Sequence, residues 1–274
     1  MSSSCPPSAC ESCAAPRGPA QRLGLDVSKS DHVVALAGNP NTGKSTVFNR
    51  LTGLRQHTGN WPGKTIARAE GGFAYAGKRY KLVDLPGTYS LRSASPDETV
   101  AREFILFGRP DVTVIVADAN CLERNLNLVL QILQITDRAV LCLNLMDEAR
   151  ANGLEIDARR LARELGIPVV PCSARSGEGI PQLLAEVQAV ASGAFQPSPY
   201  KLKLAVPGLR EALARVTTAL RARFPGLANE EWIALRLLEG DAAVGGLVTA
   251  GTLGRLTEDH AALARAAGGE GRVA

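Results

Sequence analysis

The chain has 274 residues, 45% of them hydrophobic, and a net charge of only +4. Its basic residues are spread along the chain, which argues against a dedicated nucleic-acid-binding protein, so we expect no nucleic acid among its partners. No apolar run reaches the roughly 18 to 20 residues that a membrane-spanning helix needs, and the N-terminus lacks the charged and apolar regions of a secretory signal. We therefore expect a soluble cytoplasmic chain, which could still be one piece of a longer membrane protein.

Residues 1–30 are predicted to form a disordered tail, because they are rich in Ser, Pro, Ala and Cys and show no apolar period. Cys5, Cys10 and Cys13 lie in this tail. Clustered thiolates can bind Zn²⁺ or iron, but three ligands without a nearby His leave such a site incomplete, so a disordered tail is the favoured interpretation. The other cysteines, Cys121, Cys142 and Cys172, lie beside or inside apolar segments, which indicates buried, reduced thiols.

Short apolar segments alternate with segments of helical periodicity between residues 31 and 195. The predicted strands are 32–37, 80–85, 112–117, 139–143 and 168–170, and the predicted helices are 43–53, 97–107, 122–136, 156–165 and 179–191. Residues 69–75 are predicted to add an antiparallel edge strand that turns at Gly77. This alternation is typical of a doubly wound α/β domain with a mostly parallel sheet, here 31–195.

The alternation ends at a predicted linker, Gln-Pro-Ser-Pro at 196–199. Two segments with helical spacing follow it, separated by Pro225-Gly226, so 196–260 is predicted to be a small helical domain. Residues 261–274 are Gly-rich and polar and are predicted to be a flexible C-terminal end.

Residues 38–45, Gly-Asn-Pro-Asn-Thr-Gly-Lys-Ser, match the phosphate-binding pattern G-x-x-x-x-G-K-[ST] between a predicted strand and a predicted helix. The backbone amides of such a loop and the helix N-terminus cradle phosphate oxygens. Lys44 is predicted to reach the β- and γ-phosphates, and Ser45 to give its hydroxyl to Mg²⁺. The predicted nucleotide-binding residues of this P-loop are Gly38, Asn39, Pro40, Asn41, Thr42, Gly43, Lys44, Ser45 and Thr46.

Three further motifs follow predicted strands in the order of the Ras-like GTPases. Asp84, in D-x-P-G, can hold Mg²⁺ through water, and Gly87 lets a backbone amide approach the γ-phosphate. Asp147, in the N-x-x-D motif that begins at Asn144, can accept two hydrogen bonds from guanine, where adenine offers no such donor pair. A backbone amide of Ser173-Ala174-Arg175 can meet guanine O6. Each motif alone is typical of a common turn or helix cap, so the prediction of a Ras-like P-loop GTPase rests on their joint order.

Several segments resemble the cytosolic GTPase domain of the bacterial ferrous iron transport protein B (FeoB) family. They are 38–45, 59–65 (Gly-Asn-Trp-Pro-Gly-Lys-Thr), 84–91 and 122–126, while 232–241 resembles the helical spacer domain of that family. The resemblance implies a slow GTPase that binds GTP, GDP and Mg²⁺ and regulates a transmembrane iron permease outside this chain, at the cytoplasmic face of the inner membrane. It leaves a homo-oligomer open.

The resemblance also implies individual roles. Thr65 matches the switch threonine that closes on Mg²⁺ and the γ-phosphate. In potassium-activated members, an Asn at the position of Asn41 and backbone carbonyls near Gly59 and Trp61 hold K⁺ beside the phosphates, and we expect Trp61 to be a switch residue rather than a hydrophobic anchor. The implied Mg²⁺ ligands are Ser45, Thr65 and Asp84, and the implied catalytic residues are Lys44, Thr65, Gly87 and Asn41.

Two positions depart from the Ras-like pattern. Thr88 stands where Ras uses Gln to orient water, and Leu145 stands where many GTPases have a Lys whose stem packs over guanine. The second departure leaves open a relaxed NTPase that accepts ATP. A ribosome-assembly GTPase that binds RNA is a further alternative, disfavoured because residues 198–250 contain seven basic against five acidic residues and no RNA-binding signature.

Overall fold

The computed structural model describes residues 19–54, 56–62, 64–92, 95–202, 206–251 and 253. Its centre is a seven-stranded sheet with the order β2-β3-β4-β1-β5-β6-β7. The strands are β1 His32–Gly38, β2 Gln56–Asn60, β3 Ala67–Tyr75, β4 Lys78–Asp84, β5 Val112–Asp118, β6 Ala139–Asn144 and β7 Val169–Pro171. The β2–β3 and β3–β4 pairs are antiparallel and the remaining pairs are parallel, so the doubly wound, mostly parallel α/β fold is confirmed.

The helices connect the strands and extend beyond the sheet. They are α1 Pro19–Arg22, α2 Lys44–Thr52, α3 Pro96–Glu103, α4 Leu122–Ile135, α5 Met146–Ala151, α6 Ala158–Leu165, α7 Ile180–Ala191, α8 Leu209–Arg223, α9 Glu230–Leu238 and α10 Ala242–Thr249. The helical prediction for 97–107 holds, but its second half, Phe104–Gly108, is π-helical. Among the described residues, no helix is both long and apolar enough to cross a bilayer.

Hydrophobic side chains cover both faces of the sheet, because neighbouring residues of a strand point to opposite sides. Val34 and Leu36 of β1 join a cluster that includes Phe48 of α2 and Leu183 of α7. Residues of the other face pack with α3, α4 and the C-terminal helices in a second cluster. The sheet is therefore enclosed in the way that parallel sheets require, and its strand ends remain open for a site.

The C-terminal helices pack on the same side as α3. Arg102 of α3 is fully buried, and its Nη1 lies 3.1 Å from Asp241 Oδ2 at the start of α10. Burial lowers the pKa of the Arg102 guanidinium, and the nearby Asp241 carboxylate opposes that shift. The guanidinium also lies 5.9 Å from the ring of Trp232 in α9. A buried ion pair and an aromatic contact thus join α3 to the helical region, whereas the division into units 31–195 and 196–260 stays a prediction.

The N-terminal region differs from the expectation of a disordered tail over 1–30. Residues 19–31 pack on the sheet domain, with Ala20 and Leu25 buried. The guanidinium of Arg68 in β3 donates to the carbonyls of Leu23 and Gly24, at 3.0 Å each. The few apolar residues of this stretch gave too weak a periodic signal to predict this docking. The three tail cysteines and the expected flexible end, 261–274, lie outside the described residues.

The remaining cysteines divide into two environments. Cys142 in β6 and Cys172 after β7 are buried, as expected, and the hydrogen bond between their thiols, together with burial, raises the pKa of Cys142. Cys121 is exposed, which contradicts the expectation that all three are buried. It lies on the one-turn 3-10 segment before α4, at the rim of the sheet rather than inside it.

Candidate functional site

The four predicted motifs meet at one edge of the sheet. The P-loop follows β1, Asp84 ends β4, Asn144 ends β6, and Ser173 follows β7. Because β1, β4, β6 and β7 are parallel, their carboxyl ends lie on the same edge. This is the edge where ligands bind in open α/β sheets.

The P-loop has a backbone that only certain residues adopt easily. Gly43 has a φ of 77°, in the left-handed region, and a Cβ there would collide with the Asn144 side chain. Asn41 is also left-handed, with a φ of 67°, and its side chain is exposed. The Thr42 hydroxyl donates to the Asn39 carbonyl at 2.9 Å and closes the turn. The predicted glycine requirement of the loop therefore has a steric cause.

The phosphate-facing charges are arranged around Lys44 at the start of α2. Lys44 Nζ forms an ion pair with Asp84 Oδ1, and both side chains are largely buried. Burial raises the pKa of the Asp84 carboxyl, although Lys44 pulls it the other way. Ser45 and Thr46 are exposed in the first turn of the same helix. The hydroxyl of Ser45 and the carboxylate of Asp84 are hard oxygen donors of the kind that Mg²⁺ prefers, so these residues fit the predicted ion.

The loop after β4 lies against the P-loop. The Thr88 amide donates to the Gly38 carbonyl at 3.2 Å, and the Thr88 side chain is buried. A Cβ on Gly87 would lie 3.5 Å from Pro40. The structure therefore brings Gly87 next to the P-loop, and the approach of its amide to a γ-phosphate stays a prediction.

The base-facing half of the site is joined to the P-loop by Asn144, which is only 1% exposed. Its Nδ2 donates to the Thr42 carbonyl at 2.9 Å, and its Oδ1 accepts from the Ala174 amide at 3.0 Å. The Asp147 amide donates to Ser173 Oγ at 3.1 Å, while the Asp147 side chain is exposed. Asn144 is thus a brace between two loops, and the Ala174 amide, one candidate donor to guanine O6, is already used by it.

Two further residues lie near this half. No role was predicted for Arg50 from the sequence, and Leu145 is the departure from the Lys of many GTPases. Arg50 of α2 donates from Nε to the Ala174 carbonyl at 2.9 Å and from Nη2 to the Arg175 carbonyl. Leu145 has a φ of 61°, and its Cδ2 lies 3.8 Å from the position of a Cβ on Gly43. Its side chain therefore lies close to Gly43 of the P-loop.

The predicted switch residues lie in and after β2, which is the edge strand farthest from β7. Thr65 is exposed in the connection between β2 and β3, and Gly59 lies in β2 opposite Arg68. Trp61 is 5% exposed, with its ring 5.4 Å from Phe104 and 5.3 Å from the Arg68 guanidinium. In this structure Trp61 is therefore a hydrophobic anchor, whereas a switch residue was expected. The roles of Thr65 in Mg²⁺ binding and of Gly59 and Trp61 in K⁺ binding stay predictions.

The sequence profile of the family described as Ferrous iron transport protein B matches residues 32–187. The Fe(2+) transporter FeoB of Salmonella typhimurium is 43% identical over 213 residues, and that of Escherichia coli K12 is 40% identical over 214 residues. Each match covers 76% of this chain but 27% of the relative, so the chain spans about a quarter of the length of these curated relatives.

Solved structures agree with this match. The cytosolic domain of the T. maritima FeoB transporter in a GDP form is 37% identical with a TM-score of 0.73, covering 81% of this chain and 86% of that one. The cytosolic domain of L. pneumophila FeoB is 35% identical with a TM-score of 0.71, covering 82% and 89%. With the P-loop, the strand order and these likenesses together, the chain belongs to the ferrous iron transport protein B family.

Proposed function

We propose that this chain binds GTP and GDP with Mg²⁺, hydrolyses GTP slowly and regulates a membrane ferrous iron transporter. The observation that carries the proposal is the pair of hydrogen bonds by which Asn144 joins the P-loop to segment 173–175. A protein that reads the base of a nucleotide must hold its base loop at a fixed distance from its phosphate loop. A buried side chain that bridges the two loops supplies that constraint.

At the phosphates, Lys44 exchanges its Asp84 partner for the β- and γ-phosphate oxygens. The Asp84 carboxylate and the Ser45 hydroxyl would then hold Mg²⁺. Thr65 would be the further Mg²⁺ ligand, and the Gly87 amide would donate to the γ-phosphate. Bound Mg²⁺ supplies neutralisation of the charge that develops on the phosphates.

At the base, Asp147 accepts hydrogen bonds from guanine N1–H and the exocyclic amine. Leu145, whose side chain lies close to Gly43, supplies an apolar side chain at the motif position of the missing Lys and would pack against either purine. The Ser173–Arg175 segment supplies an amide for guanine O6. A relaxed NTPase that accepts ATP is the alternative outcome of the test below.

The slow rate follows from what surrounds the attacking water. Thr88 is buried and its amide is bonded to the P-loop, so no Gln-like side chain at that position orients water. Asn41 is exposed in the P-loop and offers a side-chain carbonyl, which supports it as the ligand of a K⁺ ion beside the phosphates. Bound K⁺ would add positive charge where other GTPases use an arginine.

The transport role rests on the family. The relatives are named Fe(2+) transporters, and the T. maritima cytosolic domain was solved in GDP and GMPPNP forms. The chain spans only about a quarter of the length of its curated relatives. The proposal therefore includes a transmembrane permease outside this chain, a position at the cytoplasmic face of the membrane and a homo-oligomer.

Nucleotide competition tests the proposed specificity. With Mg²⁺ and a fluorescent GDP as probe, we expect unlabelled GDP to displace the probe at a concentration roughly a hundredfold lower than ADP, because a carboxylate is left unpaired by adenine. Asp147→Asn should narrow this gap about tenfold, since an amide cannot accept both hydrogen bonds equally.

Asp157→Asn is the matched control, because Asp157 also begins a helix and its cap to the Arg160 amide is preserved by Asn. Equal displacement by GDP and ADP in the wild type would replace the GTPase with a general NTPase. No displacement by either nucleotide would overturn the nucleotide site itself.

A further inference from the structure

Arg50 connects the phosphate side of the site to the base side. It lies in the last turn of α2, the helix that begins at Lys44. From there its guanidinium reaches the loop after β7, with Nε 2.9 Å from the Ala174 carbonyl and Nη2 hydrogen-bonded to the Arg175 carbonyl. A planar guanidinium can hold two acceptors in one fixed arrangement, which a lysine ammonium cannot.

The same loop is held from the other side by Asn144, whose Oδ1 accepts from the Ala174 amide. The Ala174 residue therefore has its N–H bound to one side chain and its C=O bound to another. The loop also closes on itself, because the Ser173 amide donates to the Glu178 carbonyl at 3.0 Å and the Gly177 amide donates to the Ser173 carbonyl at 2.9 Å. Few backbone groups of this loop are left for a ligand.

The direction of one amide follows from peptide geometry. In a trans peptide the N–H points opposite to the C=O of the preceding residue. Because the Ala174 carbonyl points at Arg50, the Arg175 N–H points away from α2. The Ala174 amide is already bound to Asn144, so the Arg175 amide is the remaining donor of the predicted base-reading segment.

We propose that Arg50 is a positioning residue for guanine recognition, which aims the Arg175 amide at O6 of the base by holding the two carbonyls of the loop. This inference rests on the proposed guanine-nucleotide function. It names a residue outside the four sequence motifs, and it gives the phosphate-binding helix a direct part in choosing the base.

The test compares GDP with 6-thioguanosine diphosphate on the wild type and on Arg50→Gln. The analogue keeps N1–H and the exocyclic amine but has sulfur, a weaker hydrogen-bond acceptor, in place of O6. We expect Arg50→Gln to weaken GDP about tenfold, mainly through faster dissociation, because a charge-assisted hydrogen bond that fixes the loop is lost. Affinity for the analogue should change less than about threefold, since sulfur at position 6 accepts the amide N–H only weakly. Arg50→Lys should fall between the wild type and Arg50→Gln for GDP.

Arg150→Gln is the matched control. Arg150 contacts the same loop but only through the exposed side chain of Glu178, so GDP affinity should stay within about twofold of the wild type. Equal weakening of GDP and the analogue by Arg50→Gln would make Arg50 a general support of the fold and overturn the inference. Unchanged GDP affinity would also overturn it. A wild type that binds no GDP would instead defeat the proposed function before any variant is compared.

Discussion

The two halves of the candidate site are held in different ways. On the base side, buried Asn144 and the guanidinium of Arg50 connect the loop after β7 to the P-loop and to α2. On the switch side, β2 pairs with β3 alone among the described strands, and Thr65 is exposed in the connection between them. A region with several buried hydrogen bonds keeps its shape, while an edge strand and an exposed loop can rearrange at little cost. If the proposed function is right, we expect the first half to recognise the nucleotide and the second half to switch.

The largest expected effect comes from Lys44 in the P-loop. Lys44→Ala should weaken GTP and GDP by about a hundredfold or more and abolish measurable hydrolysis, because it removes the cation at the transferring phosphate. A binding titration and a phosphate-release assay would measure the two effects. Lys78→Ala, at an exposed lysine that begins β4, is the control that should behave as the wild type. Wild-type behaviour of Lys44→Ala would contradict the P-loop assignment.

Replacing Asn144, which joins the base loop to the P-loop, tests the base side directly. Asn144→Ala leaves the Thr42 carbonyl and the Ala174 amide without their partner, so the free energy of unfolding should fall by about 1–3 kcal/mol. GDP affinity should fall about ten- to a hundredfold, because the base loop is no longer fixed to the P-loop. Chemical denaturation and GDP titration measure these separately. Normal GDP affinity in this variant would mean that the two loops keep their spacing without Asn144.

On the switch side, Thr65→Ala should leave GDP affinity within about twofold of the wild type and slow GTP hydrolysis about tenfold. Thr65 is exposed, and under the proposed function it would matter only when a γ-phosphate and Mg²⁺ order the loop. Single-turnover hydrolysis and GDP titration on the same protein separate the two effects. Thr58→Ala, an exposed threonine of β2, serves as the control. An equal loss for GDP and GTP would make Thr65 structural.

The smallest expected effect concerns the monovalent ion. Turnover should be several-fold faster in KCl than in NaCl at matched ionic strength, because a cation at Asn41 would offset charge on the phosphates. Asn41→Ala should lose this stimulation and keep most of its GDP affinity. Identical rates in the two salts would remove K⁺ from the mechanism and leave Asn41 as a residue that shapes the P-loop.

The sequence predicted those parts of the molecule that depend on local pattern. The apolar strands and the P-loop glycines are specified by neighbouring residues, so β1, α2 and the turn at Gly43 could be placed before the structure was seen. Strand β2 could not, because Gln-His-Thr-Gly-Asn has no apolar alternation and becomes a strand only by pairing with β3. His57 in that strand is exposed, as expected for a polar residue outside the core.

The sequence did not predict contacts between residues that are far apart in the chain. Arg50 donates to the carbonyls of residues 174 and 175. Every residue has a backbone carbonyl, so the sequence does not show which of them accepts a hydrogen bond. Trp61 was expected to be a switch residue because segment 59–65 resembles the switch of the family, but its ring packs on Phe104, which is 43 residues later in the chain. The N-terminal docking through Arg68 is missed for the same reason.

Hydrogen–deuterium exchange tests most directly whether one half recognises and the other switches. The wild-type chain would be measured with Mg²⁺ in GDP and in a non-hydrolysable GTP analogue, each against the nucleotide-free protein. Peptides covering 139–147 and 169–178 should gain the same protection with both nucleotides, while peptides covering 56–68 and 84–92 should differ between GDP and the analogue. Identical exchange of 56–68 and 84–92 in the two nucleotide states would contradict a GTP-dependent switch in this chain.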